Sequence, residues 1–527
     1  MNALYTIQEP HSDLFSDANQ SFDDLKATLV SDECGSLCES DVERLIASTG
    51  RELMRRLLQS HLLLRGQAEP VAPVVGADGV GRGHVRSSQP RLLETSFGTV
   101  SVVRTAFSGR HRSALHPVDA DLNLPAERHS HEVQRVAVLT AAKQSYEGTT
   151  GLVTSMTAAT VGKRAVEEFV RRAAADFRGF YRTRAWDAAS QNGTGSLLVI
   201  SVDQKGIVMT PNDLTPETRR IGEAQEHRLA AIRDRSGKDT WRGRKRMATV
   251  ATVHTIRPDM RTAEEIVMGL RRLRPVSLRP QRTVRPELKR LWASVEDLPE
   301  KVVLDAFAEA KKRDPFQLKR WIVLIDGDPD LERWVKGAAE SHGVKVTVVL
   351  DLIHALQYVW RAGVILCGEK SAELEGWVLH RLQRILQGKV GNVVAGISRA
   401  ATLRAIKKSQ RSALDKCCGY LLKRKSLMEY GDLLSWGAPI ASGVIEGGCK
   451  HLINDRLQLC GARWSLEGAE AILQVRALVI SGDFDEFWSY HERQEHLRNH
   501  VRRYADGSCP DLQRSQPPHR KLSLVKV

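Results

Sequence analysis

Two apolar runs in this chain each end on an aspartate. Residues 197–202 read Leu-Leu-Val-Ile-Ser-Val and lead into Asp203, and Ile322–Ile325 lead into Asp326. A run that is apolar at successive positions belongs to a strand buried on both faces, inside a covered sheet. Residues 246–256, Arg-Met-Ala-Thr-Val-Ala-Thr-Val-His-Thr-Ile, form a second β-branched run, and Lys345–Ile353 form another after the helical stretch from Leu331 to Gly343. A pair of β-runs followed by alternating helix and strand predicts a mixed α/β sheet. No strand is evident between Arg261 and Lys312, where Pro275, Pro280 and Pro286 punctuate the chain. From His354 to about Leu434 the spacing predicts only helices.

Ahead of the sheet, Val42, Leu45, Ile46, Leu53, Leu57, Leu58 and Leu62 recur at helical spacing over residues 40–64. Residues 65–90 turn to Gly, Pro, Ala and Ser and read as a linker or loose loop. Two β-type runs then straddle Gly98, which predicts a hairpin. A helix is expected from about Ser130 to Ser145. After it come a short helix, a polar turn near Ser155 to Thr157, and a helix ending in Arg171 and Arg172. That is the rhythm of a helix-turn-helix, whose second helix can enter a major groove, and equally of two simply packed helices. The expected division is 1–64 helical, 65–90 linker, 91–190 a hairpin and DNA-binding region, 191–480 the sheet domain with a helical insertion at about 355–438, and 481–527 a C-terminal helix and basic tail.

Charge narrows the partner. The 527 residues hold 78 Lys and Arg against 63 Asp and Glu, a surplus of +15. Such a surplus favours a polyanion, because a basic side chain on a phosphate releases counterions. It is concentrated at 219–246 and 271–290, and the glycines of the first stretch and prolines of the second rule out amphipathic lipid-binding helices. No apolar run is long enough to span a membrane, and the first twenty residues do not have the pattern of a signal peptide. A cytoplasmic protein with a nucleic-acid partner is therefore expected, with its eight cysteines as free thiols. Cys34 and Cys38 lack a second pair for zinc. A glycosidase built on a carboxylate pair fits poorly with this basic charge and 6% aromatics.

A carboxylate ending a buried strand carries a desolvation cost that pairing, exposure or a cation must relieve. Asp203, Asp326 and Glu446, the last in Gly-Val-Ile-Glu-Gly-Gly, form a hard-oxygen set suited to Mg²⁺. Two such ions could activate a water or 3′-hydroxyl and stabilise a leaving oxygen. Each residue also has a plainer reading: Asp203 as a hairpin turn, Asp326 as a strand-ending turn, Glu446 as a complement to its helix's positive end.

The segments SVDQKGIVM, WIVLIDGDPDLERWV, VTVVLDLIHALQYVW and GAPIASGVIEGGCKHLINDRLQLCGARWSLEGAEAILQVRAL resemble bacterial insertion-sequence DDE transposases of the ISKra group, relatives of the Mutator-like enzymes. The resemblance runs from about Leu92 to Tyr504. It implies an RNase H-like catalytic domain with a large all-helical insertion, preceded by a mainly helical DNA-binding region. It further implies Asp203, Asp326 and Glu446 as catalytic metal ligands for Mg²⁺, or Mn²⁺ in its place. Asp351 and His354 look like the family's Asp-x-x-His signature, which leaves Asp351 as an alternative second ligand and His354 to orient a phosphate or carboxylate. Gln204 stands where relatives commonly carry Gly.

The implied activity is binding of terminal inverted repeats, metal-dependent phosphodiester hydrolysis and strand transfer, by a dimer or higher homo-oligomer on double-stranded DNA. Candidate DNA contacts are Lys205, Arg244, Lys245, Arg246, Lys450, Arg456 and Arg463, with Trp464 either a stacking surface or core. The rival expectation is a catalytically inactive DNA-binding protein derived from a transposase.

Overall fold

A computed structural model of the chain describes residues 12–186, 193–224, 243–270 and 284–513. The centres of both basic stretches, the first eleven residues and the tail from residue 514 lie outside the described residues. The chain divides into two compact units, Met1–Arg182 with Phe484–Val527, and Thr183–Asp483.

In the first unit, helix α1 (Glu39–Gly66) packs on an antiparallel sheet of β1 (His84–Thr95), β2 (Gly98–Gly109) and β3 (Arg112–Leu115). Leu62, Leu93, Val100, Val102, Val118 and Leu124 form the core between them. The hairpin turns at Gly98, whose φ of +127° suits glycine. Residues 65–90 are not simply a linker: Glu69–Pro70 pair with Leu512–Gln513, and β1 begins at His84. The outer half of β1 is exposed, so it lacks the apolar alternation that marks a strand. Helices α2 (His131–Ala141), α3 (Tyr146–Met156) and α4 (Lys163–Ala175) follow, the first two capped by Ser130 and Ser145. Helix α4 buries Val166, Phe169 and Val170 and leaves Lys163 and Arg164 exposed.

The second unit is built on a five-stranded mixed sheet of β4 (Leu197–Val208), β5 (Lys245–Ile256), β6 (Glu287–Ser294), β7 (Arg320–Ile325) and β8 (Val346–Leu350), in the order β6-β5-β4-β7-β8. Strand β5 runs antiparallel to β4 and β6, whereas β4, β7 and β8 are parallel. Strand β6 is a strand the sequence hides. Only its last four residues are buried, and its first half follows Pro286 and carries Lys289 and Arg290. Arg290 reaches buried Glu309 at 2.5 Å and stacks over Trp292, so part of the expected DNA-facing charge is spent inside the fold.

Helix α5 (Pro299–Arg313) covers one face, where Phe307 meets Trp321, and α6 (Pro329–Ser341) follows β7, capped by Asp328. Beyond β8 the chain is helical, as expected: α7 (Leu352–Cys367), α8 (Leu374–Leu386), α9 (Val390–Leu403) and α10 (Lys408–Lys423). This block is closed at its base by Leu352 N–H donating to Ile440 O at 2.9 Å and by the buried Tyr430 hydroxyl donating to Leu350 O at 2.8 Å. The chain returns over the sheet's other face as α11 (Gly443–Cys449) and α12 (Leu466–Ser481). Gly448 lets α11 approach β6, since a Cβ there would lie 2.7 Å from Leu291.

Candidate functional site

The register of the parallel strands brings the two aspartates together. Ser201 pairs with Leu324, so two residues further along each strand Asp203 and Asp326 fall side by side on one face. Ile325 pairs with Leu350, and Asp351 N–H continues that ladder by donating to Ile325 O at 2.8 Å. Asp326 and Asp351 thus stand just past the carboxyl ends of β7 and β8, the side on which open α/β sheets bind ligands, next to Asp203 midway along β4. Asp203 is a strand residue opposite Val250, which removes the hairpin-turn reading. Gln204 points to the opposite face and is exposed, so it does not crowd the carboxylate beside it.

Helix α11 covers the same face as Asp203. Glu446, Cys449 and Lys450 sit at i, i+3 and i+4, on one side of the helix as it passes into a π-helical turn at Lys450–Asn454. A cavity of about 520 Å³ is lined by Asp203, Lys205, Asp326, Asp351, His354 and Glu446, with Cys449, Lys450 and Asn454 closing it. The structure therefore gathers all three expected acids, both residues of the Asp-x-x-His pair, Lys205 and Lys450 around one space.

The carboxylates differ in how they are committed. Asp351 is buried and caps α7 through Ile353 N–H at 2.7 Å, while its other oxygen accepts the Ser442 N–H at 2.8 Å and the Ser442 hydroxyl. Among the described residues Asp326 accepts only the Asp328 N–H, at 2.9 Å. Burial, with the negative charge of Asp203 added, pushes the Asp326 carboxyl above the usual carboxylate range, against the pull of the Asp328 N–H and His354. Asp203 accepts the Gln204 N–H at 2.7 Å and the Cys449 thiol at 3.4 Å. Burial and the adjacent Asp203 raise the Cys449 thiol, so it stays protonated and donates. Gly327 turns the chain after Asp326 with φ +83°, and a Cβ there would collide with Arg424, whose Nε donates to Gly327 O.

The donors suit a hard divalent cation: carboxylates repelling one another in a partly buried cavity, and a buried Asn454 Oδ1 without a partner among the described residues. Among the described residues, no three His, Cys, Asp or Glu side chains are grouped closely enough to hold a metal by themselves. Mg²⁺ needs no such cage, since it takes one or two carboxylates and completes its shell with waters and substrate phosphate.

Other expected contacts lie elsewhere. Trp464 is buried, its indole N–H donating to Leu457 O at 3.0 Å and its backbone bridged to Met209 beyond the end of β4. Arg456, also buried, lies over the Trp464 ring at 5.0 Å. Arg456, expected to hold DNA, instead packs the interior, and Trp464 takes the core position of its two readings. Arg246 reaches the backbone oxygens of Val295 and Asp213. Arg244, Lys245 and Arg246 lie outside the cavity lining, as does Arg463, which is exposed. Ser442, Cys449 and Asn454 were not anticipated. Cys449 carried a usable signal, its i+3 spacing from Glu446.

The described cysteines are free thiols, and no helix among the described residues is long and apolar enough to cross a membrane. No protein-family model matches this sequence, and no curated protein matches it significantly.

Proposed function

We propose that the chain is a DDE-type transposase, a metal-dependent polynucleotidyl transferase with an RNase H-like catalytic domain. It would bind the terminal inverted repeats of an insertion sequence, hydrolyse phosphodiester bonds at the ends and join them to target DNA. One observation carries this reading: the parallel register that sets Asp203 beside Asp326, with Glu446 on a helix covering the same face. Further support is the order of the parts, with the first acid on the first strand of the sheet, the second after the fourth strand and the third on a helix beyond a helical block. That is the arrangement the sequence resemblance implies.

Asp203 and Asp326 would hold Mg²⁺ or Mn²⁺, with Glu446 across the cavity. A bound divalent ion supplies Lewis-acid activation of the attacking oxygen and charge stabilisation at the leaving oxygen. Lys205 and Lys450, lining the same cavity, would hold the scissile phosphate by charge, and His354 beside Asp326 would orient it. The Gln204 N–H and the Cys449 thiol each engage one oxygen of Asp203, and each oxygen keeps further acceptor capacity for an ion. Asp351, whose two oxygens already accept three hydrogen bonds against one for Asp326, is the weaker candidate for second ligand.

Purified protein incubated with Mg²⁺ or Mn²⁺ and an oligonucleotide carrying the element's end tests the reading. Wild type is expected to cut and join, whereas Asp203→Ala, Asp326→Ala and Glu446→Gln bind and do not cut. Binding without cutting by the wild type selects the non-catalytic relative instead.

A further inference from the structure

The helical block holds a second, larger concavity that the carboxylate site does not account for. Helices α7 and α10 wall a cleft of about 1430 Å³, lined by six Lys and Arg side chains against two carboxylates. Lys408, Lys416 and Lys423 recur at spacings of eight and seven along α10, on one helical face, and all three are exposed. Between them Ser412, Ala413 and Gly419 are small and leave the floor open. On the inner wall Tyr358 and Tyr420 stack at 3.6 Å between centroids, with Arg361 over one ring and Arg424 over the other. These six cations are separate from the residues from which DNA contact was expected.

The cleft is joined to the carboxylates in two ways. Tyr420 donates its hydroxyl to Asp326 O at 2.6 Å, and Arg424 donates to Gly327 O, so the inner wall is fastened to the loop that carries the second acid. The concavities also run into one another. Ile353 and Gln357 line both the carboxylate cavity and a small depression beside it, and Trp360 and Arg361 line both that depression and the basic cleft. Those residues follow one face of α7, and the stretch from Ile353 to Val364 spans about 16 Å at 1.5 Å per residue. At 3.4 Å per nucleotide along a strand, that is about five nucleotides.

We propose that this track binds the phosphodiester backbone of a nucleic-acid strand leading away from the carboxylate site, with the α10 lysines as its phosphate contacts. The charge excess, the open floor and the continuity with a site of phosphodiester chemistry all require a long polyanion rather than a small anion. The inference rests on the transferase reading for the identity of the ligand, and is tested without catalysis.

Binding of a fluorescein-labelled random-sequence duplex is measured in EDTA across a range of salt concentrations. Comparison is made between wild type, the triple variant Lys408→Gln, Lys416→Gln and Lys423→Gln, and a charge-matched control, Lys311→Gln, Lys312→Gln and Lys336→Gln, on α5 and α6. The α10 variant is expected to bind about tenfold or more weakly at physiological salt, with the slope of log affinity against log salt flatter by about 2 to 3. The Lys→Arg triple should retain both affinity and slope. Equal losses in the two Gln triples would reduce the effect to net charge and overturn the track, as would an α10 variant indistinguishable from wild type. Cutting in Mg²⁺ is scored separately on the same preparations, so a wild type that binds through the α10 lysines but does not cut overturns the transferase reading and leaves the track in place.

Discussion

The carboxylate of Asp351 accepts the backbone N–H of Ser442 at 2.8 Å, joining positions 91 residues apart in sequence. That bond ties the end of β8 to the residue preceding α11, and so fixes where Glu446 stands relative to the strands that carry Asp203 and Asp326. The whole helical block lies between the two bonded residues. Whatever α7 to α10 do, the geometry of the acidic site depends on this clasp.

Asp351 and Asp326 are therefore expected to fail in different ways. Asp351→Ala removes a helix cap and leaves the Ser442 N–H buried without a partner, a loss of about 2 to 4 kcal/mol. Its melting temperature should fall, and Ser442→Ala should reproduce part of that fall. Asp326→Asn should melt at or above the wild-type temperature and abolish cutting. The opposite pattern, with Asp351→Ala stable and inactive and Asp326→Asn active, would make Asp351 the second ligand.

Divalent ions should stabilise this protein through Asp326. Its carboxyl is raised by burial and by Asp203, so the folded state holds its proton more tightly than the unfolded chain does. Stability contributed by this group is present at low pH and is lost as pH rises through the folded value, leaving repulsion at neutral pH. Mg²⁺ or Mn²⁺ relieves that repulsion. Thermal melts at neutral pH should rise with added ion in wild type and remain flat in Asp203→Ala and Asp326→Asn, a readout that needs no DNA.

The two central acids were legible because each followed a mostly apolar run whose length and burial mark a strand of a covered sheet. Glu446 was legible only through its motif, since nothing in residues 443–449 says which face of the sheet α11 will cover. Strand β6 was not legible. Its charged first half reads as DNA-facing surface until Arg290 is seen beside Glu309, a partner on the helix that follows. Arg456 misled, and Trp464 stayed open between stacking surface and core, for a related reason: an aromatic and an arginine near an acidic site have the same composition whether they stack on a base or on each other. Only burial separates the two cases.

Acid should destabilise the fold before it protonates the carboxylates. Burial holds His254 neutral, down to about 3, helped by the nearby charges of Arg313 and Lys289. His131 is likewise lowered by burial to about 4. Because both values lie below the unfolded imidazole's, the unfolded chain takes up these protons first, and stability falls as pH drops from about 6.5 toward 4. Melts across that range should decline by a few kcal/mol in total, of the order expected for two such groups. Replacing His254 with Gln should flatten the decline, and an unchanged slope would count against a buried neutral imidazole.

Trp464 offers the clearest separation of packing from DNA contact. Its ring is buried, its indole N–H is engaged by Leu457 O, and Arg456 lies across its face. Trp464→Ala should cost about 3 to 5 kcal/mol, the usual range for emptying a buried aromatic site. Trp464→Phe keeps most of the volume and loses the indole hydrogen bond, so its cost should be smaller. A stacking platform would behave differently: both variants would melt normally, and affinity for single-stranded DNA would fall by about 1 to 3 kcal/mol for the lost base contact. Urea melts and anisotropy titrations on the same two proteins decide the matter, with a large stability loss in Trp464→Ala and an unchanged affinity in Trp464→Phe as the expected result.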